Sequence, residues 1–82
     1  MDQSDRETAI QDLEVTLWVG KGGIEAVTAE LEDQLRDRDL VKVKFLRAAR
    51  AGSDTEDLAS DLATLVGASV LETRGHTAVI ER

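Results

Sequence analysis

The sequence of 82 residues contains no cysteine, no proline and no tyrosine, and it has one histidine. Without cysteine the chain cannot form disulfides, thiolate metal sites or persulfide carriers, and thiol catalysis is excluded. One histidine cannot build a multi-histidine metal site. No stretch approaches the roughly 20 apolar residues of a membrane span, and the acidic, polar start MDQSDRETAI does not resemble a signal peptide. We therefore expect a cytoplasmic protein without membrane contact.

The overall charge is acidic, because 17 Asp and Glu against 10 Lys and Arg give a net charge of −7. Such a balance argues against membranes and nucleic acids as partners. Adaptation to a salt-rich cytoplasm is an alternative explanation, and composition does not choose between the two. The charge is uneven, however, since residues 41–50, VKVKFLRAAR, carry four bases and no acid. This basic block is either a solvated strand and helix cap or a retained anion-binding face.

Four segments have the pattern of β-strands. In residues 14–19, one face carries Val15, Leu17 and Val19, and the other carries Thr16 and Trp18. In residues 40–46, one face carries Val41, Val43 and Phe45, and the other carries Lys42 and Lys44. Residues 69–73 and 77–81 are two short strands around Arg74-Gly75-His76, where Gly75 supplies the positive φ of a tight hairpin.

Two segments have helical periodicity. The first follows Gly23 and ends near Arg38, and its apolar stripe consists of Ile24, Val27, Leu31 and Leu35. The second opens with a capping box from Ser53 to Glu56 and ends at Gly67. Its predicted stripe consists of Leu58, Leu62, Leu65 and Val66.

The element order is therefore β-α-β-α-β-β, which predicts a single α/β domain over residues 13–82. We expect an α+β two-layer sandwich, with a mixed four-stranded sheet and both helices on one face. Residues 1–12 are predicted to form a short N-terminal arm or helix.

The loop Gly20-Lys21-Gly22-Gly23 has the pattern G-x-x-G between a strand and a helix. Glycines let a ligand backbone approach closely, and the following helix start offers unpaired N–H groups with partial positive charge. We expect the N–H groups of Gly22 and Gly23 to face phosphate, with Lys21 adding a point charge. An ordinary strand-to-helix turn is the alternative. The spacings of nucleotide P-loops and dinucleotide folds are absent, so no nucleotide cofactor is expected.

The remaining candidate residues are dispersed. Trp18 is either an edge-of-core side chain or a stacking platform for an unpaired base. Lys42 and Lys44 would share its face, where they bind anions or merely keep the sheet soluble. Arg74 can contact phosphate, and His76 is interpreted as a solvated turn residue. No nucleophile is paired with a base, so we expect no enzymatic activity and no cofactor.

The segments WVGKGGIEAV, DLVKVKFL and ETRGHTAVIER, in this order, resemble the CRM domain, the small RNA-binding domain of the YhbY-like family. The resemblance covers residues 13–82. It implies a fold like the C-terminal domain of translation initiation factor three, with strand order 1-2-4-3 and an antiparallel strand four. Carried onto this chain, it implies RNA-binding roles for the loop residues Gly20, Lys21, Gly22 and Gly23, the strand residues Lys42 and Lys44, and the hairpin residues Arg74 and His76.

In function, the resemblance implies a non-catalytic, monomeric protein that binds structured RNA, namely ribosomal RNA or the large-subunit precursor, in ribosome biogenesis or RNA folding. Family members usually open with a longer basic helix, whereas residues 1–12 are short and acidic. This departure lowers the affinity for RNA that the resemblance implies, and it affects the implied fold less. The alternative function is a protein–protein interaction module that does not bind RNA.

Overall fold

The computed structural model describes residues 13–82, so the arm or helix predicted for residues 1–12 lies outside the described residues. The regular elements are β1 Val15–Val19, α1 Thr28–Asp37, β2 Leu40–Phe45, α2 Thr55–Val66, β3 Ser69–Arg74 and β4 Thr77–Glu81. The strands form one sheet in the order β1-β2-β4-β3. β1 and β2 are parallel, and β4 is antiparallel to both of its neighbours. The predicted mixed sheet and its strand order are confirmed.

The hydrophobic core lies between one face of the sheet and the two helices. Val41, Val43 and Phe45 of β2 are fully buried there, in one cluster with residues of α1 and α2. Lys44, on the other face of β2, is exposed, and Lys42 is half-buried. The predicted apolar and basic faces of β2 are therefore confirmed. A slip of one residue would exchange the two faces and bury the lysines, so the core fixes the register of β2.

The alternation predicted for β1 breaks at Thr16. Val15 pairs with Lys42, and the register shifts directly after Val15, so Thr16 is the extra residue of a bulge. Thr16 Oγ1 donates to Gln34 Oε1 at 2.6 Å, and Gln34 Nε2 donates to the Thr16 carbonyl at 3.0 Å. The prediction that Thr16 shares the face of Trp18 is wrong, because its side chain contacts α1. Val15 consequently pairs on the lysine-bearing face and is not part of the core cluster.

The first α-helix begins later than its periodicity predicts. Residues Ile24–Val27 form a 3-10 turn, and the α-helix starts only at Thr28. Before that turn, Gly23 has φ 77° and ψ −177°, a backbone region that is essentially restricted to glycine. The Ala26 amide donates to the Gly23 carbonyl at 3.3 Å. This tighter i→i+3 bonding carries the chain from the strand into the helix.

The second helix is capped by Asp54, and not by Ser53 as predicted. The Asp54 backbone is extended, and its carboxylate accepts a hydrogen bond from the Asp57 amide at 2.8 Å. Both residue types are good N-caps, but a carboxylate also interacts favourably with the positive end of the helix dipole. The predicted stop is confirmed, because Gly67 has the left-handed φ of 69°.

The buried face of α2 differs from the predicted leucine stripe. Leu62 is buried as expected, but the side chain of Leu65 is exposed. Ala59 and Ala63 are buried in its place. The two small side chains let the helix lie close to the sheet, which turns Leu65 toward solvent.

Candidate functional site

Three loops meet at one end of the sheet. β1 and β2 are parallel, so both strands end there, and the β3–β4 hairpin turns at the same end because β4 is antiparallel to β2. The Leu46 amide donates to the Val19 carbonyl at 2.8 Å, and the Phe45 amide donates to the His76 carbonyl at 2.8 Å. We term this region the basic end and define it by residues 20–23 and 46–53, which follow β1 and β2, and by residues 74–76 at the turn of the β3–β4 hairpin.

The chain segments that build the basic end contain no carboxylate. Residues 15–24, 40–53 and 73–80 hold no Asp or Glu in a chain that has 17 of them. They hold six of the ten Lys and Arg residues, namely Lys21, Lys42, Lys44, Arg47, Arg50 and Arg74. The acids of the described chain lie mainly on and beside the two helices. The fold thus separates the charges and gives an acidic protein one positive region, as anion binding requires.

The glycine loop turns sharply as β1 ends. The Gly23 amide donates to the Gly20 carbonyl at 3.0 Å, which closes the turn. The amides of Lys21 and Gly22 donate to no backbone carbonyl within residues 13–82. The positive φ that a glycine loop implies is found at Gly23, but the expectation that its N–H faces outward is wrong. The donors left for an anion are the N–H groups of Lys21 and Gly22.

The predicted contribution of a helix N-terminus to this loop is also corrected. The 3-10 turn Ile24–Val27 separates the loop from Thr28, where α1 begins. The partial positive charge of a helix is confined to its first turn, so the dipole of α1 does not act directly on the loop. The groups that the loop presents to a ligand are therefore its two amides and the exposed ammonium group of Lys21.

The fold brings two further arginines to the basic end, and neither was among the site residues predicted from the sequence. Arg47 and Arg50 lie in the loop that follows β2, and Arg47 is exposed. Leu46 precedes them and reaches Gly20, since a Cβ on that glycine would stand 3.8 Å from Leu46 Cδ1. The basic block of residues 41–50 contains both arginines and could have indicated their position. Because β1 and β2 are parallel, the end of that block must lie beside the glycine loop.

Four residues form a row across the face of the sheet that points away from the helices. Trp18 pairs with Lys44, Lys44 pairs with Thr77, and Thr77 pairs with Arg74. Adjacent strands lie about 4.8 Å apart, so the row is about 14 Å long. The Trp18 side chain is 53% exposed, and Lys44 and Arg74 are exposed as well. This cross-sheet row adjoins the glycine loop, which begins two residues after Trp18.

The two other candidate residues lie in different surroundings. Lys42 belongs to the next row across the sheet, in which it pairs with Val79 and Val79 pairs with Glu72. His76 is exposed at the hairpin tip and lines a cleft together with Arg50 and the start of α2. Lys42 therefore has a carboxylate in its row, and His76 lies at the margin of the basic end.

The described residues, 13–82, offer neither a metal-binding cluster nor a membrane-spanning helix. No group of three or more His, Asp or Glu side chains in that range is arranged to hold a metal ion. No helix of the same range has the length and apolar character to cross a bilayer.

Known proteins resemble this chain at the level of family, sequence and structure. The family model of the CRS1 / YhbY (CRM) domain matches residues 4–82. "Probable RNA-binding protein MJ0652" of Methanocaldococcus jannaschii is 40% identical over 70 residues, covering 85% of this chain and 52% of that protein. The chain thus spans about half the length of this curated relative. The solution structure of the hypothetical protein SAV1595 from Staphylococcus aureus, for which RNA binding has been proposed, matches with a TM-score of 0.74 and 29% identity, over 94% of this chain and 78% of that one.

Proposed function

The chain belongs to the CRS1 / YhbY (CRM) domain family, and from this premise we propose that it binds RNA without catalysis, through the basic end of its sheet. Both matched proteins bear names that refer to RNA binding. The observation that carries the proposal is the convergence of carboxylate-free, cation-bearing segments at one end of the sheet. Phosphate contacts supply most of the sequence-independent affinity for nucleic acids, and they require such a region.

Each part of the basic end has a separate role in this proposal. The amides of Lys21 and Gly22 donate to a phosphate oxygen, and the Lys21 ammonium adds charge. Arg47, which is exposed, contacts a second phosphate from the loop after β2. Lys44 and Arg74 extend the contacts onto the open face of the sheet. Lys42 and His76 are peripheral, so they contribute less than the other cations.

For the target, we propose ribosomal RNA or the large-subunit precursor, with the protein acting as a monomeric assembly or RNA-folding factor. This target follows from the resemblance to the family, and residues 13–82 are taken as one RNA-binding domain. The acidic residues lie mainly on and beside the helices, where they keep the protein soluble in a salt-rich cytoplasm. Asp54 and Glu56, at the start of α2, line a cleft with Arg50 and His76 at the margin of the basic end. Structured RNA also fits this arrangement. Cations that lie several ångströms apart can recognise the shape of an RNA through the positions of its phosphates.

The test is filter binding to ribosomal RNA fragments and to transfer RNA of similar length. The site variant is the double substitution Lys21→Gln and Arg47→Gln, and the matched control is Arg36→Gln and Arg38→Gln on and beside α1. Both doubles remove two positive charges from exposed positions. At about 1 kcal/mol for each lost phosphate contact, the site variant binds about 25-fold more weakly.

The control variant is expected to lose little affinity, and ribosomal fragments are expected to bind more tightly than transfer RNA. Equal losses in the two doubles would show that only net charge matters, which contradicts a defined site. Equal affinity for the two RNAs would contradict the ribosomal target alone. A wild-type protein that binds no RNA but captures a basic protein partner would favour the interaction-module alternative.

A further inference from the structure

The cross-sheet row carries an inference that rests on the proposed function and specifies its ligand. We propose that Trp18, Lys44, Thr77 and Arg74 form a binding surface for an unpaired RNA segment. One base stacks on the indole ring of Trp18, a phosphate close to that base contacts Lys44, and a phosphate further along the strand contacts Arg74.

Trp18 is held on the face of the sheet that points away from the helices. Its neighbours Leu17 and Val19 are 2% and 0% exposed, so the core fixes this part of β1. Alternation along the strand then directs Trp18 to the opposite face, where 53% of it is accessible. An indole ring held on a rigid strand with an open surface is a suitable platform for a base, because every base has a π-face that stacks on an aromatic side chain.

The cross-sheet row also carries two positive charges, on Lys44 and Arg74. Lys44 lies one strand from Trp18, and Arg74 lies three strands away, at about 14 Å. At the roughly 3.4 Å per phosphate of one duplex strand, that distance spans about four nucleotides, and an unstacked strand, which is more extended, spans it with fewer. Thr77 lies between the two cations, and its hydroxyl donates to the Arg74 carbonyl at 2.8 Å. The row therefore offers a stacking surface followed by two positive charges.

The adjacent row across the sheet differs from the Trp18 row in its exposure and in its charge. There Lys42 is half-buried, Val79 is buried and Glu72 is exposed at the far edge of the sheet. A polyanion that crossed the sheet along that line would meet a carboxylate. The Trp18 row contains no acid, so the charges direct a nucleic acid strand along this row and close to the glycine loop.

Stacking on Trp18 also restricts whether the bound RNA is paired or unpaired. Base faces in an A-form duplex are covered by their neighbours, and a duplex is recognised through phosphates and 2′-hydroxyl groups. Stacking on Trp18 requires a base that can leave its neighbours. The surface therefore selects loops, bulges or single-stranded segments, within an RNA whose phosphates also contact the basic end.

The experiment uses a property of the composition. The chain has one tryptophan and no tyrosine, so its intrinsic tryptophan fluorescence comes from Trp18 alone. The full-length protein is titrated with a single-stranded oligoadenylate of about eight nucleotides and with a blunt RNA duplex of the same length. Binding is followed by fluorescence quenching and, independently, by the anisotropy of a dye on the RNA. Filter binding to a ribosomal RNA fragment is measured in parallel.

We expect the single strand to quench the fluorescence along the same binding curve that anisotropy gives, and the duplex to bind more weakly with little quenching. Trp18→Ala should weaken binding of the single strand about 5- to 150-fold. Trp18→Phe keeps an aromatic face and should lose less. Leu65→Ala is the matched control, because Leu65 on α2 is 52% exposed, and it should bind as the wild type does.

The outcomes separate this inference from the proposed function. RNA binding without quenching, together with wild-type affinity in Trp18→Ala, would overturn stacking and leave RNA binding intact. Equal quenching by the duplex would overturn the preference for unpaired RNA. Binding of the ribosomal fragment but not of the oligoadenylate would also overturn it. A wild-type protein that binds none of these RNAs would overturn the proposed function as well.

Discussion

Arg50 donates a hydrogen bond from Nε to the carbonyl oxygen of Phe45 at 3.0 Å, so the loop that follows β2 is tied back to the strand it leaves. The side chain of Arg47, three residues earlier in the same loop, is exposed and forms no hydrogen bond or ion pair within residues 13–82, whereas the Arg47 carbonyl accepts a hydrogen bond from the Arg50 amide at 3.1 Å. The two arginines therefore have different tasks. Arg50 holds the loop beside the glycine turn, and Arg47 remains available to a ligand.

The first prediction separates these tasks with two equal changes of charge. Arg50→Gln loses a partly buried hydrogen bond from a charged donor, so the free energy of unfolding should fall by about 1 kcal/mol. For a domain of this size, that loss lowers the Tm by about 4–8 °C. Arg47→Gln should leave the Tm unchanged and weaken RNA binding about fivefold. Thermal unfolding and anisotropy titrations measure both quantities, and the reverse assignment of effects would contradict the roles given to the two side chains.

The second prediction concerns the two outer glycines of the loop. Gly23 has φ 77° and ψ −177°, so Gly23→Ala should lower the free energy of unfolding by about 1–3 kcal/mol even though a Cβ there would meet no atom within 4 Å. Gly20 has no positive φ, and a Cβ on it makes an ordinary contact with Leu46, so Gly20→Ala should be nearly neutral. Urea unfolding measures the difference. Similar losses in both variants would contradict the claim that the backbone conformation of Gly23 is what requires glycine at that position.

This difference also decides how the loop can be tested for binding. Replacing Gly23 by any residue with a side chain strains the backbone, so a loss of affinity in such a variant would not identify a contact. A Cβ on Gly22 would stand 3.0 Å from Ala26 Cβ and would shift the turn. Lys21 can be changed without either effect, which is why the proposed site variant uses Lys21→Gln.

Much of the fold could be predicted because its signals are local. The alternation of apolar residues with lysines in β2 and the glycines that end α2 and turn the β3–β4 hairpin are each read within a few residues. The register of β1 could not be predicted, since the bulge at Thr16 depends on Gln34 of α1, 18 positions away. The cap of α2 at Asp54 was missed because Ser53 and Asp54 are both good N-caps, and only the backbone geometry of the turn chooses between them.

The candidate site was predictable in its chemistry but not in its geometry. The glycine loop, Trp18 and the lysines of β2 are visible as separate patterns in the sequence. Their grouping with Arg47 results from the parallel pairing of β1 and β2, which is a property of the whole sheet. Likewise, the hydrogen bond from the Gly23 amide to the Gly20 carbonyl could not be predicted, because the spacing of glycines in the sequence does not specify it.

The third prediction concerns the contact that joins β4 to α1. Arg82 Nη1 donates to the Leu35 carbonyl at 2.9 Å and to the Arg36 carbonyl at 3.3 Å, and Nη2 lies 2.8 Å from Asp39 Oδ1. These bonds satisfy carbonyls at the end of α1 that have no partner within the helix. Arg82→Ala should therefore lower the free energy of unfolding by about 1 kcal/mol, because part of the array is exposed and solvated.

The control for this prediction is Arg36→Ala. Within residues 13–82 the Arg36 side chain pairs only with Asp33, at 3.1 Å, and both side chains are mostly exposed. Its removal should change the free energy of unfolding by less than about 0.5 kcal/mol. Urea unfolding in low and in 1 M KCl gives a further check, since the Arg82 bonds to backbone carbonyls should persist in salt. Equal effects of the two substitutions would contradict the capping role of Arg82.

The fourth prediction uses salt to distinguish charge from stacking at the proposed interface. If Lys21, Lys44, Arg47 and Arg74 each neutralise one phosphate of a single-stranded RNA, the log of the binding constant should fall with the log of KCl concentration with a slope of about −3. Lys44→Gln and Arg74→Gln should each make the slope less steep by about 0.7. Trp18→Ala should lower the affinity at every salt concentration and leave the slope unchanged, because stacking releases no counterions.

The measurement is a series of anisotropy titrations from about 0.1 M to about 2 M KCl, with the same oligoadenylate for all variants. Arg36→Gln is the control for a change of net charge outside the interface, and its slope should equal that of the wild type. Over this range a slope of −3 lowers the affinity by nearly four decades. The Lys21 and Gly22 amides and the Trp18 ring are the proposed contacts that salt does not screen, so they should supply the affinity that remains at about 2 M KCl. A Trp18→Ala slope reduced as much as that of Lys44→Gln would show that the ring only positions the phosphate contacts, and stacking would then contribute no affinity of its own.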